Sequence, residues 1–283
     1  MKSIGLALLI AMPASAIAVG VDEGLPIDRA WSGSRVWDDG LAEVAHYDSH
    51  RLVYAEDRTF ETILITVKED FDRARAVKAD PPYEGRDLMT VLKLNIISRI
   101  DTQNYPYFYM ASLFVRRDDP RQVVKLAASS QEWCGTTFRE LVTWDGPPRL
   151  ETHSYFDAQG DGKAAIELGD GVLLEEQLLL LARAADLRPG QEYRLRVYDS
   201  QIGNSTGPPA LHPMVATLSG EESLVTPAGT FMADRLEVRP APPASGQGSA
   251  RAASTISTMV FWIRKGGERA LLKFTSTDGR SLI

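Results

Sequence analysis

The chain has 283 residues with a formal net charge of −7, and 44% of its residues are hydrophobic. This composition is typical of a globular protein and excludes collagen-like, coiled-coil and wholly disordered chains. The acidic balance argues against a nucleic-acid partner, because phosphate binding requires a concentrated surface of lysine and arginine. The single cysteine excludes an internal disulfide framework and a cysteine-based zinc cluster.

The first residues have the pattern of a secretory leader. The cation of Lys2 precedes an apolar run over residues 4–12, and small residues follow up to Ala16 and Ala18. This order predicts that residues 1–16 are a signal peptide, with cleavage after Ala16 or Ala18. We therefore expect a periplasmic or secreted protein; the alternative is a short hydrophobic anchor that stays attached. No transmembrane span is expected, because no segment reaches the roughly 18 uninterrupted apolar residues that spanning requires.

Most of the chain alternates in steps of two, the period of a β-strand. Between Leu88 and Ile100, one face is largely apolar and the other carries Lys93, Asn95 and Arg99. Further strands are predicted over 41–54, 60–68, 106–117, 121–130, 133–144, 149–157, 193–197, 213–219, 230–239, 256–264 and 269–276. Short connections rich in turn residues separate these segments, so neighbouring strands should pair antiparallel. The lack of strand–helix alternation disfavours Rossmann and TIM-barrel folds.

One segment has the period of an α-helix. Leucine and alanine form an apolar stripe over 173–187, whereas Glu175, Glu176 and Arg183 lie off that stripe. Pro189-Gly190 should end the helix. The stripe would pack against an apolar face of the sheet.

These elements predict a mainly β protein, with a curved antiparallel sheet or half-barrel and one or two covering helices. Residues 17–39 are interpreted as an N-terminal lead-in, and residues 40–283 as a single antiparallel β domain. The stretch 240–253 is rich in Pro, Gly, Ser and Ala and is predicted to be a mobile loop.

Motifs between His46 and His153 resemble a family of uncharacterised bacterial exported proteins. They are VLKLN (91–95), YPYFYM (105–110), SQEWCG (130–135) and HSYF (153–156). In addition, VTPAGTF (225–231) and FWI (261–263) look like the closing hairpins of a broader class of exported β domains. The resemblance implies a curved antiparallel sheet like the half-barrel of periplasmic lipoprotein carriers. Family members often carry a septum-formation-inhibitor label that belongs to cytoplasmic nucleotide pyrophosphatases, and we do not transfer that activity, because the Ser- and Arg-rich substrate loop of those enzymes is missing.

Cys134 is a candidate nucleophile, since a lone cysteine near a histidine can be activated. If 133–144 and 149–157 pair across the intervening turn, His153 faces Glu140 and lies about 20 Å from Cys134. We therefore expect Cys134 to be a small packed core residue.

Metal and acid–base sites have weaker support. Residues 157–162 imitate the opening of a calcium loop, but Leu168 occupies the position of the required glutamate. A polar hairpin turn with positive φ at Gly160 and Gly162 explains the segment better, and we expect no metal and no cofactor. Adjacent acids such as Glu175-Glu176 are expected to be mostly solvated surface.

The strand around 107–115 is apolar on both faces. Such a strand belongs to the core, or it lines a cavity as the wall of an apolar ligand pocket with tyrosine hydroxyls as polar contacts. The candidate ligand-binding residues are Tyr105, Tyr107, Tyr109, Met110, Trp133 and Cys134.

The favoured hypothesis is an exported, non-enzymatic envelope protein that binds an apolar or lipid-like ligand or an envelope component, which could be another envelope protein. One alternative is a hydrolase-type enzyme that uses Cys134 or scattered carboxylates. Another is a structural envelope protein without a small ligand. An enclosed apolar cavity would favour the first hypothesis, and a polar cleft where Cys134 meets a histidine would favour the second.

Overall fold

The computed structural model describes residues 21–144, 146–169, 171–204, 207–242 and 256–283. The predicted signal peptide and most of the predicted loop 240–253 lie outside these ranges. Where it is described, the chain is mainly β and forms one large, curved, unclosed sheet with two short α-helices. This confirms the predicted fold class.

The described strands are β1 (Val21–Glu23), β2 (Glu43–Val53), β3 (Glu56–Asp72), β4 (Val77–Lys78), β5 (Leu88–Asp101), β6 (Pro106–Arg116), β7 (Val123–Glu132), β8 (Gly135–Val142), β9 (Arg149–Ser154), β10 (Gly162–Ala165), β11 (Val172–Leu174), β12 (Glu192–Tyr198), β13 (Leu211–Thr226), β14 (Gly229–Pro240), β15 (Met259–Arg264), β16 (Leu271–Ser276) and β17 (Ser281–Leu282). The helices are α1 (Arg29–Ser32), α2 (Glu175–Ala184) and a 3-10 helix over Arg35–Asp38.

Antiparallel pairing between sequence neighbours builds most of the sheet. One series runs from β2 through β3 and β5 to β10, and the other runs from β12 to β17. The last strand, β17, pairs with β2 and joins the two series. Strands β1 and β11 both pair in parallel with β12 at the far edge. Long-range pairing therefore makes one continuous sheet from two meanders.

The inner, concave face of this sheet is the apolar one. On β5, Leu92, Leu94 and Ile96 are buried, whereas the intervening Lys93 and Asn95 are only half-buried on the other, convex face. This confirms the predicted alternation. The core consists of this concave face, helix α2 and the N-terminal segment packed into it.

The predicted register between β8 and β9 is wrong by two residues. Phe138, not Glu140, pairs with His153, and Val142 pairs with Arg149. The prediction assumed a four-residue turn, but the connection takes six residues, 143–148. A longer connection moves every pair by the same amount.

Helix α2 begins at Glu175 and ends at Ala184, so it is shorter than the predicted segment 173–187. The predicted stripe does pack into the core, where Leu178 and Leu181 are buried. The other side of the helix is buried as well, including Arg183. The prediction that Glu175-Glu176 belongs to solvated surface is therefore wrong.

The N-terminal segment covers the second side of α2. Trp31 and Trp37 pack edge to face, with ring centroids 5.3 Å apart, and the guanidinium of Arg183 lies over both rings. Arg183 also donates two hydrogen bonds to the Glu43 carboxylate, at 2.6 and 2.9 Å. These contacts fix the helix between strand β2 and the N-terminal segment.

Candidate functional site

A cavity of about 460 Å³ lies between the concave face of the sheet and helix α2. Small-molecule sites typically have volumes of about 300–1,000 Å³. Much of the wall is apolar, and its apolar members include Phe60, Ile96, Ile100, Leu179, Ile202, Met259, Phe261 and Phe274. Leu52 also lines the cavity and is 56% exposed, which places the opening at the C-terminal end of strand β2.

Two neighbouring carboxyl groups at the start of α2 point to different partners. Glu175 accepts a hydrogen bond from Arg280, whose Nε also donates to Asp278 at 2.7 Å. Glu176 Oε1 accepts from Ser200 Oγ at 2.8 Å and from the backbone N–H of Gln201 at 2.7 Å. These contacts join the helix to two strand ends that are distant in sequence.

The surroundings of Glu176 disfavour its ionised form. Its side chain is buried, and Oε2 has no hydrogen-bond partner among the described residues. Burial, followed by the nearby charge of Glu175, raises the pKa of Glu176 to about 7. The cavity therefore contains a carboxyl group whose protonation changes near neutral pH.

A buried polar chain continues from Glu176 to strand β8. The Gln201 side-chain oxygen accepts a hydrogen bond from Arg139 Nη1 at 2.7 Å, and both of these residues are buried. Asp199 stands beside them in the cavity wall, and burial raises its pKa. A hydrogen-bonded polar network therefore lies in and behind this part of the cavity wall.

Arg51 lies near the opening, next to Leu52, and within electrostatic reach of Glu175, Asp278 and Arg280. Its guanidinium carbon is 5.3 Å from the centroid of the Tyr109 ring, a cation–π contact. Within the described ranges, its guanidinium makes no ion pair and donates no hydrogen bond. Burial lowers the pKa of Arg51 and raises that of Tyr109.

Of the six candidate residues predicted from sequence, Tyr109 lines the cavity. Tyr107 is buried beside it in a small cluster and donates a hydrogen bond to the hydroxyl of Tyr54 at 2.6 Å. Met110 points to the convex face and is exposed. The predicted strand with two apolar faces thus has one face in the core and cavity wall and the other toward solvent.

Tyr105, Trp133 and Cys134 form a separate cluster at the rim of the sheet. The rings of Tyr105 and Trp133 stack with centroids 5.6 Å apart, and Trp133 is 78% exposed. Cys134 Sγ lies 3.0 Å from the Tyr105 hydroxyl and 3.1 Å from a Glu132 oxygen. These three residues do not line the cavity.

The prediction that Cys134 is a core residue is wrong, because the residue is exposed. It occupies the short turn between β7 and β8, where Glu132 pairs with Gly135. A residue at the tip of a hairpin cannot reach the core of the sheet that the hairpin belongs to. Its described contacts include no histidine, and the acceptor nearest to its thiol is the Glu132 carboxylate.

The segment resembling a calcium loop forms the connection between β9 and β10, which pair antiparallel. Asp161 accepts a hydrogen bond there from the backbone N–H of Ser154 at 3.0 Å. Gly160 has the predicted positive φ, but Gly162 does not, because it already belongs to strand β10. Among the described residues, no group of three or more His, Cys, Asp or Glu side chains is arranged to hold a metal ion.

Sequence reasoning missed polar side chains that line the cavity, among them Arg51, Glu175, Glu176, Asp199 and Arg280. They come from β2, from α2, from the residue after β12 and from the connection between β16 and β17. A local signal existed only for the acidic pair at the start of the helix, and its position off the apolar stripe indicated solvent. The pairing of these groups depends on contacts that span up to 105 positions in the chain.

No family model, curated protein or solved structure matches this chain. Within the ranges that the structure describes, no helix has the length and apolar character needed to cross a membrane. The geometry and chemistry of the cavity are therefore the basis for assigning a function.

Proposed function

We propose that this protein is a non-enzymatic binding protein of the bacterial envelope that holds an apolar or lipid-like ligand in the cavity beneath helix α2. The observation that carries the proposal is the cavity itself, whose volume suits a small molecule and whose wall combines apolar side chains with about as many polar ones. Burying an apolar chain there would gain roughly 25 cal/mol for each Å² removed from water.

The polar groups of the cavity favour an amphipathic ligand over a purely apolar one. Charged side chains, among them Arg51 and Glu176, line the cavity together with aliphatic and aromatic side chains such as Ile96 and Phe261. A ligand with a polar head and an apolar body would satisfy both kinds of wall.

The arrangement supports binding over hydrolysis. Cys134 is exposed at the rim and outside the cavity, and its described contacts are a tyrosine and a glutamate. Glu175 and Glu176 each hydrogen-bond to a different partner, so they do not form the close pair that general acid–base catalysis with two carboxyls would use.

Export to the envelope is part of this proposal, and it rests on the apolar run that follows Lys2 and on the small residues ending at Ala16 and Ala18. N-terminal sequencing of protein recovered from the periplasm or medium should give Ile17 or Val19 as the first residue. Exported protein that still begins with Met1 would refute the cleaved leader.

The binding proposal is tested first on the unmodified protein. Native mass spectrometry and organic extraction of freshly purified protein should reveal a co-purified amphiphile. In parallel, the neutral dye N-phenyl-1-naphthylamine should bind with increased fluorescence and be displaced by added lipid.

A matched pair of variants then locates the site. Ser98 lines the cavity, whereas its neighbour Ile97 projects from the other face of β5. Ser98→Phe should fill part of the cavity and weaken dye binding about tenfold or more, while Ile97→Phe should leave it unchanged. Melting temperatures of both variants establish that they fold. No extracted ligand together with no saturable dye binding by the unmodified protein would refute the proposal.

A further inference from the structure

We infer that the ligand carries an anionic head group, a carboxylate or a phosphate, and that Arg51 at the cavity opening recognises it. This inference rests on the proposed function, because it concerns the ligand of the same cavity. Three observations support it. The guanidinium of Arg51 has N–H donors without acceptors, the nearby acids Glu175 and Asp278 are paired with Arg280, and Arg51 lies near the cavity opening.

The cavity is lined by two arginines with different surroundings. Arg280 is paired with both Glu175 and Asp278. Arg51 contacts the ring of Tyr109, and among the described residues its guanidinium has no carboxylate within ion-pair distance and no hydrogen-bond acceptor. The carboxylates of Glu175 and Asp278 act on it only at longer range. Both nearby acids are therefore engaged by Arg280, and Arg51 retains free donors.

A guanidinium presents five N–H donors in a planar fork that matches the oxygens of a carboxylate or a phosphate. Bonds of this kind between charged partners are shorter and stronger than neutral hydrogen bonds. A half-buried cation without acceptors is also unfavourable, because the water it has lost is not replaced by hydrogen bonds. A ligand oxyanion would supply the missing acceptors.

The Tyr109 ring holds the Arg51 side chain in place before the ligand arrives. A cation over an aromatic face within about 6 Å is attracted to it, and a side chain already fixed in position loses less entropy on binding. Tyr109 itself is buried on β6 and lines the same cavity. The pair forms a preorganised polar contact beside an apolar wall.

The location of Arg51 suits a head group. Arg51 is only half-buried, two residues before the end of β2, whereas Ile96 and Phe261 are buried and line the interior. An amphiphile would bind with its charged end at the opening and its chain inside. The other acids of the wall, Glu176 and Asp199, take part in the separate polar network around Gln201.

Displacement of N-phenyl-1-naphthylamine from the full chain tests the inference. The competitors share a twelve-carbon chain and differ in the head: dodecanoate, dodecyl phosphate, methyl dodecanoate and dodecanol. They are used below their critical micelle concentrations at pH 8, where the anions are ionised. For the unmodified protein, at least one anion should bind about tenfold or more tightly than the ester and the alcohol.

Arg51→Met should remove this preference while leaving the affinity for dodecanol within about threefold, and Arg51→Lys should keep part of it because the charge remains. Arg99→Met is the matched control. Arg99 makes the same kind of contact with Phe108, 5.5 Å from the ring centroid, on the opposite, convex face of the sheet. This variant should behave like the unmodified protein.

Each outcome has a distinct meaning. Preference for either anion that is lost in Arg51→Met supports the inference, and the tighter of the two identifies a carboxylate or a phosphate head. Equal binding of the anions, ester and alcohol, or an anion preference that survives in Arg51→Met, overturns the inference and leaves the proposed function intact. Failure of all four competitors to bind refutes the proposed function instead.

Discussion

Glu175 and Glu176 are adjacent in the chain and both buried, at 8% and 3% exposure, yet their carboxyl groups have opposite electrostatic surroundings. Glu175 is paired with the guanidinium of Arg280. Glu176 receives two neutral donors on one oxygen and none on the other. The helix therefore begins with one compensated and one uncompensated acid, and the two should respond differently to removal of their charge.

Removing the charge of Glu176 should stabilise the protein at high pH. Its pKa is raised to about 7 in the folded chain from an ordinary 4.5, so the folded state retains a proton that the unfolded state releases between these values. This contribution to stability is present at low pH and is lost as pH rises through 7. Relative to the unmodified protein, Glu176→Gln should gain about 3 kcal/mol in unfolding free energy between pH 4.5 and pH 8.

Urea unfolding across this pH range measures the effect. The amide of the variant can still accept from Ser200 and from the Gln201 backbone, so little should change at pH 4.5. A variant that is less stable than the unmodified protein at pH 8 would contradict the assignment of Glu176 as an uncompensated buried acid.

Glu175→Gln should have the opposite effect. Loss of the carboxylate leaves Arg280 with Asp278 alone, in a partly buried setting, and should lower the free energy of unfolding by about 1–3 kcal/mol at pH 8. Asp101→Asn is the control, because its ion pair with Arg99 is exposed and should contribute less than about 0.5 kcal/mol. If Glu175→Gln and Asp101→Asn lower the free energy of unfolding by the same amount in urea, the buried ion pair is no stronger than the exposed one and the prediction fails.

Arg183 should be an anchor of helix α2. Its guanidinium is buried, pairs with both oxygens of Glu43, donates to the backbone oxygens of Glu268 and Arg269, and lies over Trp31 and Trp37. Arg183→Met should lower the free energy of unfolding by about 2–4 kcal/mol. Arg183→Lys should recover only part of the loss, because an ammonium cannot reproduce the planar set of donors. Full recovery in the lysine variant would show that charge alone matters.

Cys134 should react with thiol reagents in the native protein. Its position in the β7–β8 turn is exposed, so 5,5′-dithiobis(2-nitrobenzoate) should modify the folded chain at a rate within about tenfold of that in urea. Cys134→Ser should change the free energy of unfolding by less than about 0.5 kcal/mol, as expected for a surface substitution. A thiol that reacts only after unfolding would contradict the exposed position.

The local periodicity of the sequence was enough to determine the class of fold. Alternation along Leu92, Leu94 and Ile96 identifies the buried face of a strand, and turn residues between such segments identify antiparallel neighbours. Helix α2 was predictable for the same reason, since Leu178 and Leu181 recur on one face. These features depend on residues a few positions apart, so the sequence alone determines them.

The tertiary structure decided the site. Arg51 meets Tyr109, and Glu175 meets Arg280, only because the sheet curves and its last strand returns to pair with β2. Cys134 is exposed because the β7–β8 hairpin turns at residues 133–134. The apolar period of a strand does not locate a turn to within one or two residues. The apolar pattern of the sequence predicts which side chains are buried. The pairing of buried charges depends instead on which distant strands lie side by side in the folded sheet.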